Sequence, residues 1–243
     1  MTDIALPKIA SKKSSPVPYT LPRGILLHVG CGPVIPDGWV NVDASWNLRA
    51  AHVPGLRRVL KSLGWISDEA AAHEWSNKIR FCDVSRGLPF ADGSVAVIYA
   101  SHVLEHIRLS GARTFMREAH RVLATEGILR LVVPDLERLA RLYLEQKKQG
   151  GEKAVSAAND FMRDLMTCRD YSQAKLPLKL YRAYFDTMAH KWMYDADSLQ
   201  QLFEEAGFRE IRRCSYLESR VPMIADVERP NRFSDGICVE GVR

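Results

Sequence analysis

The sequence predicts an α/β fold, in which short apolar strands and amphipathic helices alternate along the chain. Three observations support this fold class: a branched apolar run that ends in the glycine loop 30–32, two later strands that each carry an aspartate at their end, and regular strand–helix alternation after residue 95. The chain has 243 residues, of which 47% are hydrophobic, so it can bury a full-sized core. We therefore expect a ligand site above the carboxyl ends of the strands.

Strands are predicted where apolar and β-branched residues form short runs bounded by turn residues. The run GILLHV precedes the glycine loop, and the runs WVNVD and IRFCDV carry Asp43 and Asp83 near their carboxyl ends. A turn at Asp92-Gly93 leads into the run VAVIYA. The predicted strands are residues 24–29, 39–43, 79–84, 95–100, 128–133, 210–216 and 237–242.

Helices are predicted where apolar residues recur every three or four positions. Phe115, Met116, Ala119 and Val122 show this spacing, and Gly207 follows another such stretch as a carboxyl-terminal cap. The predicted helices are residues 56–63, 68–75, 111–124 and 197–206, and pieces from 135 to about 189 that break near Gly150-Gly151 and Pro177.

Residues 21–243 are predicted to form a single domain after a disordered tail over residues 1–20. The tail has three lysines against one aspartate, several prolines and no sustained periodicity. Within the domain, residues 135–190 are a helical addition that we expect to cover the site.

Composition excludes several classes of protein. The net charge of +5 is far below that of a dedicated nucleic-acid-binding domain. The five cysteines include no C-x-x-C pair, which favours reduced thiols over a disulfide framework or a zinc knuckle. No apolar run approaches the roughly 18 residues of a membrane span. We expect a cytoplasmic protein without a membrane span.

The glycine loop favours a nucleoside without phosphates as its ligand. A dinucleotide site needs G-x-G-x-x-G and a helix directly after it, but the third glycine is absent. Only ten residues separate Gly32 from Asp43, which leaves no room for a full helix. An acid at the end of the second strand can accept both hydroxyls of a ribose. Parallel neighbours normally need a longer crossover, so the pairing of the first two strands stays open here.

Several runs in this order and spacing resemble class I S-adenosylmethionine (SAM) dependent methyltransferases, over about half the chain. These runs are LLHVGCG (26–32), VD (42–43), CDV (82–84), LPFADGS (88–94), HVLEHI (102–107), HRVL (120–123), GILR (127–130) and VPDLE (133–137). The resemblance implies a Rossmann-like fold of seven strands with a helical insertion over the active site. Within the superfamily the chain is most similar to a bacterial branch with a short G-W-x-N-x-D connection, which is associated with polysaccharide and glycan genes.

The resemblance also implies a SAM site. It places the methionine part against Gly30, Cys31 and Gly32, the ribose hydroxyls on Asp43, the adenine edge on Asp83 and the Val84 amide, and the sulfonium beside Ser101 and His102. The chain departs from the family pattern at His28, where an acid is usual, and at Ala96, where an aspartate is common.

His106 and His190 are the candidate catalytic residues. Methyl transfer depends mainly on positioning, but a hydroxyl acceptor must also lose a proton. Histidine suits that task because its pKa lies near neutrality. The alternative for each residue is a packed structural histidine.

The segment His102-Val103-Leu104-Glu105-His106 also matches H-x-x-E-H, the inverted zinc-protease signature. We disfavour a metal role and predict none, because that chemistry needs the motif within a helix and a third ligand downstream. His102 instead follows a predicted strand. Glu105 is expected to cap or pack the following helix.

The sequence therefore predicts a SAM-dependent methyltransferase that acts on a small-molecule or glycan-type acceptor at oxygen. Three alternatives are kept: a catalytically silent methyltransferase-like binding module, a zinc hydrolase through His102 and His106, and a nucleic-acid methyltransferase. The last lacks an N-P-P-Y-type motif and a stripe of basic and aromatic residues. Homo-oligomerisation is left open.

Overall fold

The computed structural model describes residues 20–45, 48–49, 53, 55–62, 76–167 and 189–243. Nearly all of the predicted tail, the helix predicted at 68–75 and the predicted break at Pro177 lie outside the described residues.

Seven strands form one sheet, which confirms the predicted α/β fold of the class I methyltransferase type. They are β1 (Ile25–Val29), β2 (Trp39–Asp43), β3 (Arg80–Phe81), β4 (Val95–Ser101), β5 (Leu123–Pro134), β6 (Arg209–Arg213) and β7 (Gly236–Val242). Their order across the sheet is β3-β2-β1-β4-β5-β7-β6. Pairs among β1 to β5 are parallel, whereas β7 runs antiparallel to both β5 and β6.

β1 and β2 pair in parallel despite the short connection between them. Leu26 pairs with Trp39 and Val29 with Val42, although residues 30–38 contain no helix. A five-residue strand is only about 16 Å long. Residues 30–38 can reach about 30 Å when extended, so a loop suffices to return along so short a strand.

Five α-helices lie among the described residues: α1 (Leu56–Ser62), α2 (Leu109–Val122), α3 (Leu136–Gln149), α4 (Gly151–Leu165) and α5 (Ala196–Glu205). Asp135 caps α3 by accepting hydrogen bonds from the Glu137 and Arg138 amides. Asp195 and Ser198 form a reciprocal capping box at the start of α5. Gly150, at φ 71°, separates α3 from α4, which confirms the predicted break.

Several predicted boundaries are wrong, including the end of the strand predicted at 210–216, which stops at Arg213. The third strand is only Arg80–Phe81, because Asp83 caps a 3₁₀ turn over Val84–Arg86 instead of continuing the ladder. The predicted helix 111–124 ends at Val122, and β5 begins at once, five residues before the predicted start. Leu123 already pairs with Val95, so strand pairing overrides the helical pattern there.

The sheet is covered on both faces. The apolar side of α2 packs on one face, and Phe115, Met116 and Ala119 are fully buried there. The other face carries Tyr99 and Val132, which pack in a cluster that includes Val221 and Val227. None of the described helices has both the length and the apolar composition needed to span a membrane.

Candidate functional site

The glycine loop is bonded to the end of β2. Gly30 and Gly32 adopt φ values of 64° and 51°, which glycine reaches without steric cost. The Gly32 amide donates to Asp43 Oδ2 at 3.0 Å, and the Ser45 amide donates to Oδ1 at 2.7 Å. Asp43 thus keeps lone pairs on both oxygens for further donors.

The two glycines are required for different reasons. A Cβ at Gly30 would lie 2.3 Å from Val103 Cγ2, so the loop packs directly under the residues that follow β4. A Cβ at Gly32 would meet no heavy atom of the described residues within 4 Å. Gly32 therefore borders open space beside the Asp43 carboxylate.

Cys31 offers its backbone to the glycine loop, and its thiol is not reactive. Its side chain is only 4% exposed, and burial together with the Asp43 charge raises the pKa of the thiol to about 12. The thiol is therefore neutral at physiological pH.

Asp83 lies two residues beyond the end of β3, in which Phe81 pairs with Asp43. Its Oδ1 accepts from the Ser85 amide at 3.2 Å and from Ser85 Oγ at 2.6 Å. Its Oδ2 contacts the exposed Arg86 at 3.1 Å. Val84 is buried in the 3₁₀ turn that Asp83 caps. The two predicted strand-end aspartates therefore follow neighbouring parallel strands, as their sequence positions require.

Ser101 ends β4, and His102 follows it in a strained conformation. The φ of His102 is 55°, a left-handed value that is uncommon outside glycine. Its Nε2 lies 2.8 Å from the Arg232 carbonyl oxygen, and its Nδ1 lies 3.1 Å from Glu105 Oε1. Burial lowers the pKa of His102, but the bonds to Glu105 and the Arg232 carbonyl raise it more, so the net shift is upward. The ring can donate to both acceptors only when it is protonated.

Glu105 is the residue that the sequence interpretation missed. It has no exposed surface, and its side chain faces histidines instead of capping α2. Oε1 lies 3.9 Å from His106 Nε2. The only available signal was the H-x-x-E-H spacing, which we interpreted as packing at this residue.

His106 and His190 come together although 84 positions separate them in the sequence. Their ring centroids are 5.0 Å apart. The Lys191 amide donates to the Glu105 carbonyl oxygen at 2.6 Å, which fixes the segment after His190 on the turn that carries His106. Burial lowers the pKa of His106, the Glu105 charge partly opposes this, and His190 lowers the pKa further.

A cavity of about 390 Å³ lies beyond the carboxyl ends of β4 and β5. It contains His102 and His190, and the helical addition contributes residues from α3 and α4. The described lining residues are His102, Pro134, Arg138, Leu139, Leu142, Asp164, His190, Ser234 and Asp235. The wall is thus charged and polar on one part and apolar on another.

Comparison with known proteins decides the family. A family model described as a methyltransferase domain matches residues 22–212, which is more than half of the chain. The chain belongs to this methyltransferase family. Membership makes S-adenosylmethionine the methyl donor of this methyltransferase. No curated protein matches the sequence significantly.

Solved structures similar to this methyltransferase include two SAM-dependent methyltransferases. One, from Thermotoga maritima, is 15% identical, with 91% of this chain and 83% of that chain covered and a TM-score of 0.43. The other, from Archaeoglobus fulgidus, is 14% identical, with 93% and 89% covered and a TM-score of 0.44.

The residues of the methyltransferase fit the chemistry of its cofactor. The open space at Gly32 admits a ligand against the loop backbone. Asp43 is 9% exposed and retains acceptor capacity, as ribose hydroxyls require. Asp83 follows β3, the strand that pairs with the strand of Asp43. We propose that the cofactor contacts are those expected from the sequence: Gly30, Cys31, Gly32, Asp43, Asp83, Val84, Ser101 and His102.

His28 does not replace the acid that is usual at its position. Its ring is buried between Trp39 and Tyr99, with ring centroids 6.4 and 5.5 Å away. Burial lowers its pKa from 6.5 to about 4, although contacts with Asn41 and the Val34 backbone oppose the shift. A neutral imidazole offers no charge to an ammonium group.

This burial predicts acid sensitivity. The unfolded chain binds a proton on His28 below pH 6.5, whereas the folded chain does so only near pH 4, so stability falls as the pH drops between these values. From pH 7 to 5 the expected loss from this residue is about 2 kcal/mol. Urea unfolding at pH 7 and pH 5 measures the free energy of unfolding that each protein loses on acidification. The loss should be smaller in His28→Phe than in the wild type by that amount, because phenylalanine cannot titrate. Equal losses in the two proteins would contradict the buried neutral imidazole.

Proposed function

We propose that this methyltransferase transfers a methyl group from SAM to a hydroxyl oxygen of a small-molecule or glycan-type acceptor. The observation that carries the proposal is the cavity beside His102 and His190. Its volume falls within the range of about 300–1,000 Å³ that is typical of small-ligand sites. We extend the proposal to cytoplasmic synthesis of bacterial polysaccharides, on the resemblance of the short G-W-x-N-x-D connection.

The cavity wall suits a polyhydroxylated acceptor. Asp164 and Asp235 can accept hydrogen bonds from hydroxyl groups, and Arg138 can donate to hydroxyl or carboxylate oxygens. Leu139 and Leu142 offer an apolar surface to the carbon face of a ring. Mixed charge of this kind matches a sugar better than a polyanionic nucleic acid, whose phosphates need a basic surface.

Catalysis in this proposal depends on positioning and on loss of one proton. Bound SAM supplies a methyl group on a positively charged sulfur. Asp43 and the glycine loop hold the donor, and the cavity holds the acceptor oxygen in line with the methyl carbon. His190, in the cavity wall, and His106, against it, assist the loss of the hydroxyl proton.

Removal of either imidazole should lower turnover without releasing the cofactor. We expect His190→Ala and His106→Ala to reduce kcat about 10²-fold or more, the usual contribution of general acid–base assistance. The Kd for SAM should change less than about threefold, because neither histidine belongs to the glycine loop or is one of the two aspartates proposed to bind the cofactor. His120→Ala, a histidine on α2 that contacts Phe208, is the matched control and should retain wild-type kcat. Unchanged kcat in both test variants would exclude a catalytic role for the pair.

The function itself is tested by calorimetry followed by methyl-label transfer. The full chain should bind SAM and S-adenosylhomocysteine, and labelled methyl groups should appear on members of a panel of neutral and acidic sugars and nucleotide sugars. Label on oligonucleotides but not on sugars would favour the nucleic-acid alternative. Cofactor binding with no transfer to any acceptor would favour the silent module, and absence of cofactor binding would contradict the proposal outright.

A further inference from the structure

Three side chains from two distant segments converge beside the acceptor cavity. Glu105 and His106 lie in the 3₁₀ turn after β4, and His190 is the last residue of the predicted helical addition, 135–190. Each offers one ligand atom, and these atoms all lie within 4.8 Å of one another. Glu105 has no exposed surface, His190 is 7% exposed and the His106 side chain is 23% exposed, so the cluster is mostly buried and His106 forms its accessible side.

We propose that Glu105, His106 and His190 bind one divalent first-row transition-metal ion, such as Zn²⁺. Two imidazole nitrogens and one carboxylate oxygen are a ligand set that Zn²⁺ and its neighbours favour, whereas Mg²⁺ and Ca²⁺ prefer oxygen ligands alone. Three protein ligands also leave a coordination position for a further oxygen.

The distances between the ligand atoms are close to those in a site that holds a bound Zn²⁺ ion. Zn–N and Zn–O distances of about 2.0–2.2 Å in tetrahedral geometry place neighbouring ligand atoms about 3.3 Å apart. Glu105 Oε1 and His106 Nε2 are 3.9 Å apart already. Movements of about 1 Å per ligand atom would close the remaining gap to that geometry.

Metal-binding carboxylates are usually hydrogen-bonded to a residue outside the ligand set, and Glu105 has such a neighbour in His102. His102 Nδ1 lies 3.1 Å from Oε1 and orients the carboxylate. Oε2 is buried and has no hydrogen-bond partner among the described residues, which is costly for a carboxylate oxygen. A cation bound by both carboxylate oxygens would satisfy Oε2 as well as Oε1, and His102 would act as an outer-sphere residue.

This site differs from the zinc-hydrolase alternative. The segment from His102 to His106 is not an α-helix, so its two histidines do not share a helical face as the inverted zinc-protease signature requires. The third ligand comes from His190, at the end of the helical addition. Metal binding in this arrangement carries no implication of hydrolysis.

The position of the ion would deepen the proposed function, on which this part of the inference rests. His190 belongs both to the cluster and to the cavity wall, so an ion bound there borders the acceptor. A divalent cation lowers the pKa of a water molecule or hydroxyl group whose oxygen it binds. His106 and His190 would then assist proton loss as ligands of the ion instead of accepting the proton directly.

Metal titration of the purified full chain tests the site without any acceptor. After treatment with a chelator and desalting, the chain is titrated with Zn²⁺ by calorimetry and with Co²⁺ by visible absorption. We expect one ion per chain. His190→Ala, His106→Ala and Glu105→Gln should each weaken binding more than about 100-fold, and His102→Ala about 10–100-fold, as outer-sphere losses do. His120→Ala should bind the ions like the wild type.

Circular dichroism and SAM titration of the same samples separate the outcomes. His106 is the most exposed of the three ligands, so His106→Ala provides a variant with less risk of misfolding if Glu105→Gln does not fold. Failure of the wild type to bind one equivalent of either ion, or unchanged binding in folded ligand variants, overturns the metal site. SAM binding without metal binding would leave the proposed function intact, whereas metal binding without SAM binding would contradict that function alone.

Discussion

Asp43→Ala is expected to weaken SAM binding at least about 100-fold, because two hydrogen bonds to a charged acceptor contribute roughly 1.5–3 kcal/mol each. The carboxylate is nearly buried at the end of β2 and already orients the loop through the Gly32 and Ser45 amides. Its removal should therefore disorder the loop as well as delete the ribose contact. Calorimetric titration with SAM and S-adenosylhomocysteine measures the loss.

Asp37→Ala is the matched control for this experiment. Asp37 lies in the same connection between β1 and β2, but its side chain is 96% exposed and pairs only with the exposed Lys78 among the described residues. Its removal should leave the Kd unchanged within about twofold, since exposed ion pairs contribute little. A folded Asp43→Ala protein that binds SAM within threefold of the wild type would show that Asp43 does not hold the ribose.

Arg130→Met is expected to lower the free energy of unfolding by about 3–5 kcal/mol, the typical cost of leaving buried carboxylates without their cation. Arg130 is fully buried on β5. Its Nε donates to Glu228 at 2.7 Å, and its Nη1 contacts Glu240 on the adjacent β7 at 3.3 Å. Both carboxylates are at most 1% exposed. Urea unfolding at pH 7 measures the change.

Two further variants test whether charge is the cause. Arg212→Met removes a second, one-third exposed partner of Glu240 and should cost about 1 kcal/mol or less. Combining Arg130→Met with Glu228→Gln and Glu240→Gln should recover part of the loss, because no buried carboxylate is then left without its cation. A loss of 1 kcal/mol or less in Arg130→Met would contradict a structural role for the buried pair.

The Arg130 network also has a consequence for the site. Arg130 donates to the carbonyl oxygens of Glu218 and Ser215, which fixes the segment before β7 on the sheet. Further along, this segment presents the Arg232 carbonyl to His102 and places Ser234 and Asp235 in the cavity. We therefore expect destabilisation of this network to affect the acceptor side of the site before the glycine loop, which is held by β2.

The sequence alone determined the features that depend on neighbouring residues. The glycine loop after β1 and Asp43 at the end of β2 lie where the sequence predicted them, because parallel strands bring their carboxyl ends to one edge of the sheet. Asp83 lies beyond the end of β3 and caps a 3₁₀ turn instead of ending a strand. The break at Gly150 and the helix before Gly207 were also predicted, since glycine and capping residues act within a few positions.

Only the tertiary structure decided which distant residues meet. The parallel pairing of β1 and β2 depended on strand length, and the meeting of Glu105 with His190 depended on a turn and a segment joined by backbone hydrogen bonds. Arg130 could not be matched with Glu228 and Glu240, because charge pairing across a sheet leaves no periodic trace in the chain. Local patterns report propensity and exposure, whereas these contacts arise from the packing of elements that lie far apart in sequence.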